Sequence, residues 1–253
     1  MSLLEVVSLS KEFGGLKAVQ DVGFAVEAGV VHSVIGPNGA GKTTLFNLIT
    51  GVYTPTQGEI RLDGVDVAGR RPDQLAALGV ARTFQNLQIC MNMDACENVM
   101  VGAHLRLDRN VIRAALRWPG LVRRDRELRE EAEALMAFVG LGDHVHARAD
   151  GLSYGILKRL EIARALAARP RILFLDEPAA GLNPRETIEV GELVRRIAAD
   201  GVTVVLVEHD MKMVMSLSDR ILVMDYGRKL VEGTPDEVRR HPDVVAAYLG
   251  KHA

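Results

Sequence analysis

The run Gly36-Pro37-Asn38-Gly39-Ala40-Gly41-Lys42-Thr43 constrains the possible fold of this chain more than any other feature. It follows an apolar, β-branched stretch, residues 30–35, that stops at Gly36 as a buried strand does. It precedes residues 43–48, whose pattern predicts a helix stopped by Gly51 and the turn-forming Thr54-Pro55-Thr56-Gln57-Gly58. Gly36, Gly39 and Gly41 let the backbone turn tightly and aim successive N–H groups inward, a nest for phosphate oxygens. The following helix offers its positive end to the same anion. Lys42 supplies a mobile charge for the outer phosphates, and the Thr43 hydroxyl is suited to Mg²⁺. Asn38, Ala40 and Thr44 complete the binding stretch. A strand, a glycine nest and a helix in this order imply an α/β fold with a P-loop NTPase core.

The rest of the chain carries the same rhythm, interrupted once. Residues 3–8 and 19–26 read as short strands. Residues 59–62 and 65–67 flank Asp63-Gly64, a strong two-residue hairpin signal. From about 97 to 140 the chain is rich in Ala, Leu, Arg and Glu, and Pro119-Gly120 divides it into two helical stretches. Arg106, Arg109, Arg113 and Arg117 recur at helical spacing, which predicts one basic face, either solvated or turned to anionic lipid or a partner's acidic loops. After Gly151 come a helix over 157–168, a strand over 171–176, a helix over 185–199 and a strand over 202–207. Helices alternating with strands imply right-handed crossovers and a mostly parallel sheet. Residues 221–224 and 229–231 form a predicted hairpin through Asp225-Tyr226-Gly227, and 238–249 a closing helix.

Composition narrows the function classes. A net charge of -2, with 48% hydrophobic and 25% charged residues, gives no basic excess for nucleic-acid binding. No apolar run approaches the roughly 18 residues of a membrane span, and the first residues lack a signal-peptide pattern. Cys90 and Cys96 have no metal-ligand companions and read as reduced packing thiols. The expectation is a soluble cytosolic protein.

Residues 172–177 place Ile-Leu-Phe-Leu before Asp176-Glu177. In an open parallel sheet the carboxyl ends of strands face the ligand crevice. Asp176 is therefore placed to hold Mg²⁺ through water, and Glu177 to polarise an attacking water. Residues 202–207 likewise run into Glu208-His209, which sets His209 at a neighbouring strand tip as a γ-phosphate contact. Gln85, after Arg82-Thr83-Phe84, carries a weak signal alone, and context makes it a candidate Mg²⁺ ligand and switch.

Leu152-Ser153-Tyr154-Gly155, followed by Arg159-Leu160-Glu161-Ile162-Ala163-Arg164-Ala165-Leu166, resembles the signature helix of ABC ATPases. The order of cradle, Gln85, signature, Asp176-Glu177, Ala180-Gly181-Leu182-Asn183 and His209 is also theirs. Phe13-Gly14-Gly15-Leu16-Lys17-Ala18, Glu97-Asn98-Val99-Met100-Val101-Gly102 and Val207-Glu208-His209-Asp210-Met211-Lys212 resemble one subgroup over nearly the whole chain. That subgroup is the longer ATP-binding subunit of branched-chain amino-acid importers.

The resemblance implies a single ABC ATP-binding domain over 1–253. It has a core lobe (1–84 and 166–253) that includes an antiparallel β subdomain, and a helical lobe at about 85–165. It implies ATP and Mg²⁺ as cofactors, and Phe13 stacked on adenine. The implied partners are a shorter paralogous ATPase in a heterodimer (a homodimer in isolation), two transmembrane permease subunits and, indirectly, an external solute-binding protein. The place of work is the inner face of the membrane, with no nucleic acid involved. Each ATP would lie between one chain's cradle and the other's signature, where Ser153 caps its helix. The Ser153 hydroxyl and the Gly155 N–H would reach the partner-bound γ-phosphate. This sequence departs from the family in carrying Ile156 and Leu157 where Gln, then Gln or Arg, is usual. That change predicts two apolar groups facing the partner, or a slower composite site. Two alternatives stand beside the importer ATPase. One is a soluble ABC protein acting on DNA or ribosomes, which lacks here its usual coiled-coil insert or second cradle. The other is a nucleotide-sensing subunit with weak hydrolysis, against which Glu177 and His209 argue. The transported solute is not encoded in this chain.

Overall fold

The computed structural model describes residues 2–106 and 119–249. The chain divides into two compact units, Met1–Arg82 with Arg171–Ala253, and Thr83–Pro170.

The first unit contains two sheets. Strands β1 (Ser2–Phe13) and β2 (Leu16–Glu27) pair antiparallel through a Gly14-Gly15 turn, and β4 (Gln57–Leu62) and β5 (Val65–Asp66) extend the sheet in the order β2-β1-β4-β5. Asp63 and Gly64 both have positive φ (53° and 76°), as a tight two-residue hairpin requires. Both long strands run beyond the predicted 3–8 and 19–26, because polar residues alternate with buried ones instead of ending the strand.

The second sheet has the order β10-β9-β3-β8-β7-β6, with β3 (Val31–Ile35), β6 (Val80–Arg82), β7 (Ile172–Asp176), β8 (Thr203–Val207), β9 (Arg220–Asp225) and β10 (Arg228–Gly233). Only β9 and β10 pair antiparallel; every other ladder is parallel. β3, β7 and β8 are buried along their whole length, as strands covered on both faces must be. Side chains alternate between two cores. Val34, Phe174, Val205, Val207 and Leu222 pack with β1, β2, β4 and helix α1 (Lys42–Ile49). Ile35, Ile221 and Val223 pack on the other face with Val214, Val238 and Val244. Those three come from α7 (Met211–Leu217), α8 (Pro235–Arg240) and α9 (Pro242–Leu249). Helices α2 (Pro72–Ala77) and α6 (Pro184–Ala199) complete the unit.

In the second unit, α3 (Ala95–Gly102) packs on both α4 (Pro119–Phe138) and α5 (Tyr154–Leu166). Asn98, fully buried on α3, bonds the N–H and C=O of Cys90 and the C=O of Asp94, which anchors the preceding loop. Cys90 and Cys96 are free thiols.

Pro119 opens the second helical stretch, because a missing N–H costs nothing in a first turn. Two expectations need correction. Arg106 is not on a solvated or lipid-facing stripe: its guanidinium makes a bidentate pair with Glu131 at 2.6 and 2.9 Å. Arg109, Arg113 and Arg117 lie outside the described residues. The closing helix is two helices broken at His241, whose backbone is extended before Pro242 as that proline demands.

His32 on β3 is fully buried beside the Phe24 ring (5.5 Å), and neither ring nitrogen has a hydrogen-bond partner among the described residues. Burial, aided by Arg220 and Lys229 and opposed by Glu232, lowers its pKa from 6.5 to about 4. The folded state therefore binds fewer protons than the unfolded chain between those values. Stability falls as pH drops below 6.5 and the loss levels off below 4, at about 3 kcal/mol in all. Exchanging His32→Phe should flatten the pH dependence of unfolding by that amount between pH 7 and 4, read from urea midpoints. Parallel profiles for variant and wild type would contradict the assignment.

Candidate active site

Strands β3, β8 and β7 are neighbours, with Val34 level with Val207 and Val207 level with Asp176. Their carboxyl ends therefore release Gly36, Glu208-His209 and Glu177 along one edge of the sheet. That edge is where parallel sheets present ligands.

Gly36, Gly39 and Gly41 all have positive φ (154°, 81° and 96°). A Cβ on Gly36 would overlap the carbonyl oxygen of Met224, and one on Gly41 would lie 2.5 Å from that of Ala18. At Gly36 and Gly41 the loop is thus pressed onto β9 and β2 with no room for a side chain. Gly41 is the N-cap of α1 and no side chain caps that end, which leaves the first-turn N–H groups for an anion. Ala40 is buried, and its carbonyl accepts from the Gly227 N–H at 3.0 Å. Asn38, Gly39 and Thr43 are exposed, and Thr44 is half-buried. These residues fit a polyphosphate.

Lys42 folds back over the loop, donating from Nζ to the carbonyls of Gly36 (2.7 Å) and Pro37 (3.0 Å). Burial lowers its pKa, while the nearby carboxylates of Glu177 and Asp176 act to raise it. Asp176 is 4% exposed, and its Oδ2 accepts from the Arg82 guanidinium at 2.9 Å.

Glu177 has φ of 49°, rare for a residue with a side chain, and donates its N–H to the Val207 carbonyl at 2.9 Å. That kink turns the chain at the end of β7. His209 Nδ1 stands 3.9 Å from Glu177 Oε1, beyond hydrogen-bond reach, with its own side chain 64% exposed. Glu208, read from the sequence only as His209's neighbour, proves to be a structural tie. Fully buried, it accepts from the Ala179 N–H through Oε1 (2.8 Å) and from the His209 N–H through Oε2 (3.1 Å). It joins the two loops that carry Glu177 and His209. An acid wedged between an apolar strand and a polar loop is the only sequence signal for that role. Asn183 and Asp210 cap α6 and α7 through their side-chain oxygens.

Phe13 ends β1 and is 41% exposed, its ring edge-on to Tyr53 at 5.3 Å and with Lys11 Nζ 4.9 Å from its centroid. Phe13 is therefore not part of the core. Tyr53 is an addition that the sequence did not suggest.

The other predicted residues belong to the second unit. Gln85 is exposed, and its carbonyl accepts from the nearly buried Lys158 at 3.4 Å. Ser153 occupies the N-cap of α5 with an extended backbone, but its hydroxyl takes no capping bond, which corrects the expected cap. The hydroxyl is not committed to its own helix. Gly155 is buried and Ile156 half-buried. Leu157 is only 7% exposed, so an apolar surface of two residues is not formed.

Known proteins resemble the chain throughout. The family described as ABC transporter matches residues 19–180, and that described as Branched-chain amino acid ATP-binding cassette transporter matches residues 228–253. The chain is 48% identical to the high-affinity branched-chain amino acid transport ATP-binding protein BraF of Pseudomonas aeruginosa, over 98% of both chains. It is 44% identical to the corresponding protein LivG of Escherichia coli, again over 98% of both. A solved ATP-binding cassette of an ABC transporter in its ADP conformation superposes with a TM-score of 0.87 at 31% identity, covering 99% of each chain.

Proposed function

The chain belongs to the ABC transporter ATP-binding family, and on that premise we propose that it is the ATP-hydrolysing subunit of an importer for branched-chain amino acids or closely related solutes. The observation that carries this reading is the convergence of the glycine nest, Asp176, Glu177 and His209 at the ends of neighbouring parallel strands.

The N–H groups of Gly39, Gly41, Lys42 and Thr43 would hold the β- and γ-phosphates. Lys42 would exchange its two loop carbonyls for γ-phosphate oxygens. The Thr43 hydroxyl and, through water, Asp176 would hold Mg²⁺, with Gln85 as a further ligand. The metal's contribution is to neutralise charge on the phosphate oxygens. Glu177 would accept a proton from the attacking water as its oxygen bonds to the γ-phosphorus. The bond from that phosphorus to the bridging oxygen then breaks, and ADP and phosphate leave. His209 would hold a γ-oxygen. Phe13, and Tyr53 beside it, would receive the adenine.

In this proposal the chain pairs with a shorter paralogous ATPase, or with itself in isolation. The Ser153 hydroxyl and Gly155 N–H complete the partner's site. The pair sits on the inner face of the membrane under two permease subunits, which take solute from an external binding protein. Among the described residues no helix is long and apolar enough to cross a membrane. The alternative of a weakly hydrolysing sensor drew on Ile156 and Leu157, and the burial of Leu157 removes half of its motive.

Removing the exposed ring with Phe13→Ala should weaken ATP binding about tenfold, within the roughly 1–3 kcal/mol that base stacking on an aromatic contributes. An unchanged dissociation constant by calorimetry would rule out the stacking role. The function as a whole is tested in membrane vesicles that carry the permease subunits, loaded with ATP and given labelled leucine, isoleucine and valine. Uptake that requires this chain and is lost with Lys42→Ala is expected. Uptake that persists without the chain would refute the proposal.

A further inference from the structure

The Arg82 side chain is 9% exposed and donates to residues on two elements. Through Nη2 it pairs with Asp176 Oδ2 at the end of β7 (2.9 Å). Through Nη1 it donates to Asn47 Oδ1 (2.6 Å) and Thr50 Oγ1 (2.8 Å) on the second half of α1 and its C-cap. Thr50 in turn donates to the Phe46 carbonyl at 2.7 Å, and the guanidinium carbon lies 5.9 Å from the centre of the Phe46 ring. A permanent cation cannot ligate a metal, so Arg82 has no direct part in the chemistry. Its neighbours explain its place. Thr43 stands in the first turn of α1 and Asp176 ends β7. A metal held by both residues needs their spacing fixed.

We propose that Arg82 is a positioning residue that sets the distance between Thr43 and Asp176, by fastening the Asp176 carboxylate to the body of α1. This rests on the metal–nucleotide reading above. The guanidinium is suited to the task because its planar fork holds several acceptors at once in fixed directions. A lysine keeps the charge but is a flexible point donor, so it balances Asp176 without tying it to Asn47 and Thr50. The loss of such supporting partners around a metal site costs about 10- to 100-fold in metal affinity. The phosphate nest, built from backbone on the other side of Lys42, is left intact.

The test separates metal from nucleotide. The purified full chain is saturated with ADP and titrated with Mn²⁺, followed by electron paramagnetic resonance, and ADP affinity is measured separately in EDTA. Arg82→Lys should raise the Mn²⁺ dissociation constant about 10- to 100-fold, with ADP affinity in EDTA within about twofold of wild type. Thr50→Val and Asn47→Ala keep the ion pair and remove its anchors. They should shift the Mn²⁺ constant in the same direction by several-fold, and they decide the matter if Arg82→Lys does not fold. Wild-type Mn²⁺ affinity in the anchor variants would overturn the proposal, as would an equal loss of ADP affinity in EDTA. A wild-type complex that takes up no Mn²⁺ would instead remove the underlying metal–nucleotide reading, a failure distinct from the first two.

Discussion

Glu177→Gln is expected to cut phosphate release by about 10²–10⁴-fold while leaving ATP binding nearly unchanged. The substitution keeps the side chain's size and its position on the kink where φ is 49°. It keeps the backbone bond to Val207. The ability to accept a proton is lost, and with it one negative charge. Binding in the glycine nest is a matter of backbone N–H groups and Lys42, none of which the change displaces. Lys42 gains a second consequence, because Glu177 is one of two carboxylates that favour its charged form against burial. Removing one of them takes away part of what opposes burial, so that pKa falls further. Phosphate release within twofold of wild type would exclude Glu177 as the proton acceptor.

Gly36→Ala should abolish ATP binding and destabilise the first unit, two effects of one methyl group. With φ at 154°, residue 36 has a backbone that side chains rarely adopt, and the new Cβ would run into the carbonyl of Met224. Relief needs the loop to lift off β9, and β9 is hydrogen-bonded to β3, so the nest cannot move as a piece. Overpacking of this kind costs roughly 1–3 kcal/mol. The amides then no longer converge, and a phosphate loses several charge-assisted bonds together. Gly39→Ala is the internal control. Its φ is also positive, but nothing lies within 4 Å of its Cβ position. It should lose far less stability than Gly36→Ala, read from thermal midpoints. Equal losses would show that backbone strain, not the clash with β9, is the decisive term.

The parts most legible in the sequence were those written as contiguous chemistry at the end of an apolar run. Residues 36–43, Asp176-Glu177 and Glu208-His209 each follow a stretch that is buried from end to end in the structure. The parallel order of those stretches follows from the helices between them. What stayed hidden depends on partners distant in the chain. The role of Arg82 appears only when β6 lies beside β7, and β6 is a half-buried strand of 3 residues with no periodicity to read. The pairing of Arg106 with Glu131 joins residues separated by 25 positions, whereas helical spacing weighs only near neighbours. Short helices α2 and α7, of 6 and 7 residues, hold too few turns to show an apolar face. The break at His241 was visible in Pro242, and the apolar residues on either side concealed it. Ser153 has the residue type and place of a cap, yet capping is a matter of side-chain torsion, which sequence does not specify.

The central claim is that a triphosphate lies in the nest of residues 36–43 with the side chain of residue 177 beside its last phosphorus. A structure of the Glu177→Gln chain with Mg-ATP measures this directly. The account predicts β- and γ-phosphate oxygens within hydrogen-bond reach of the N–H groups of Gly39, Gly41, Lys42 and Thr43, and the residue-177 side chain facing the γ-phosphorus across one water. A triphosphate bound elsewhere, or a residue-177 side chain turned away from an occupied nest, would contradict it.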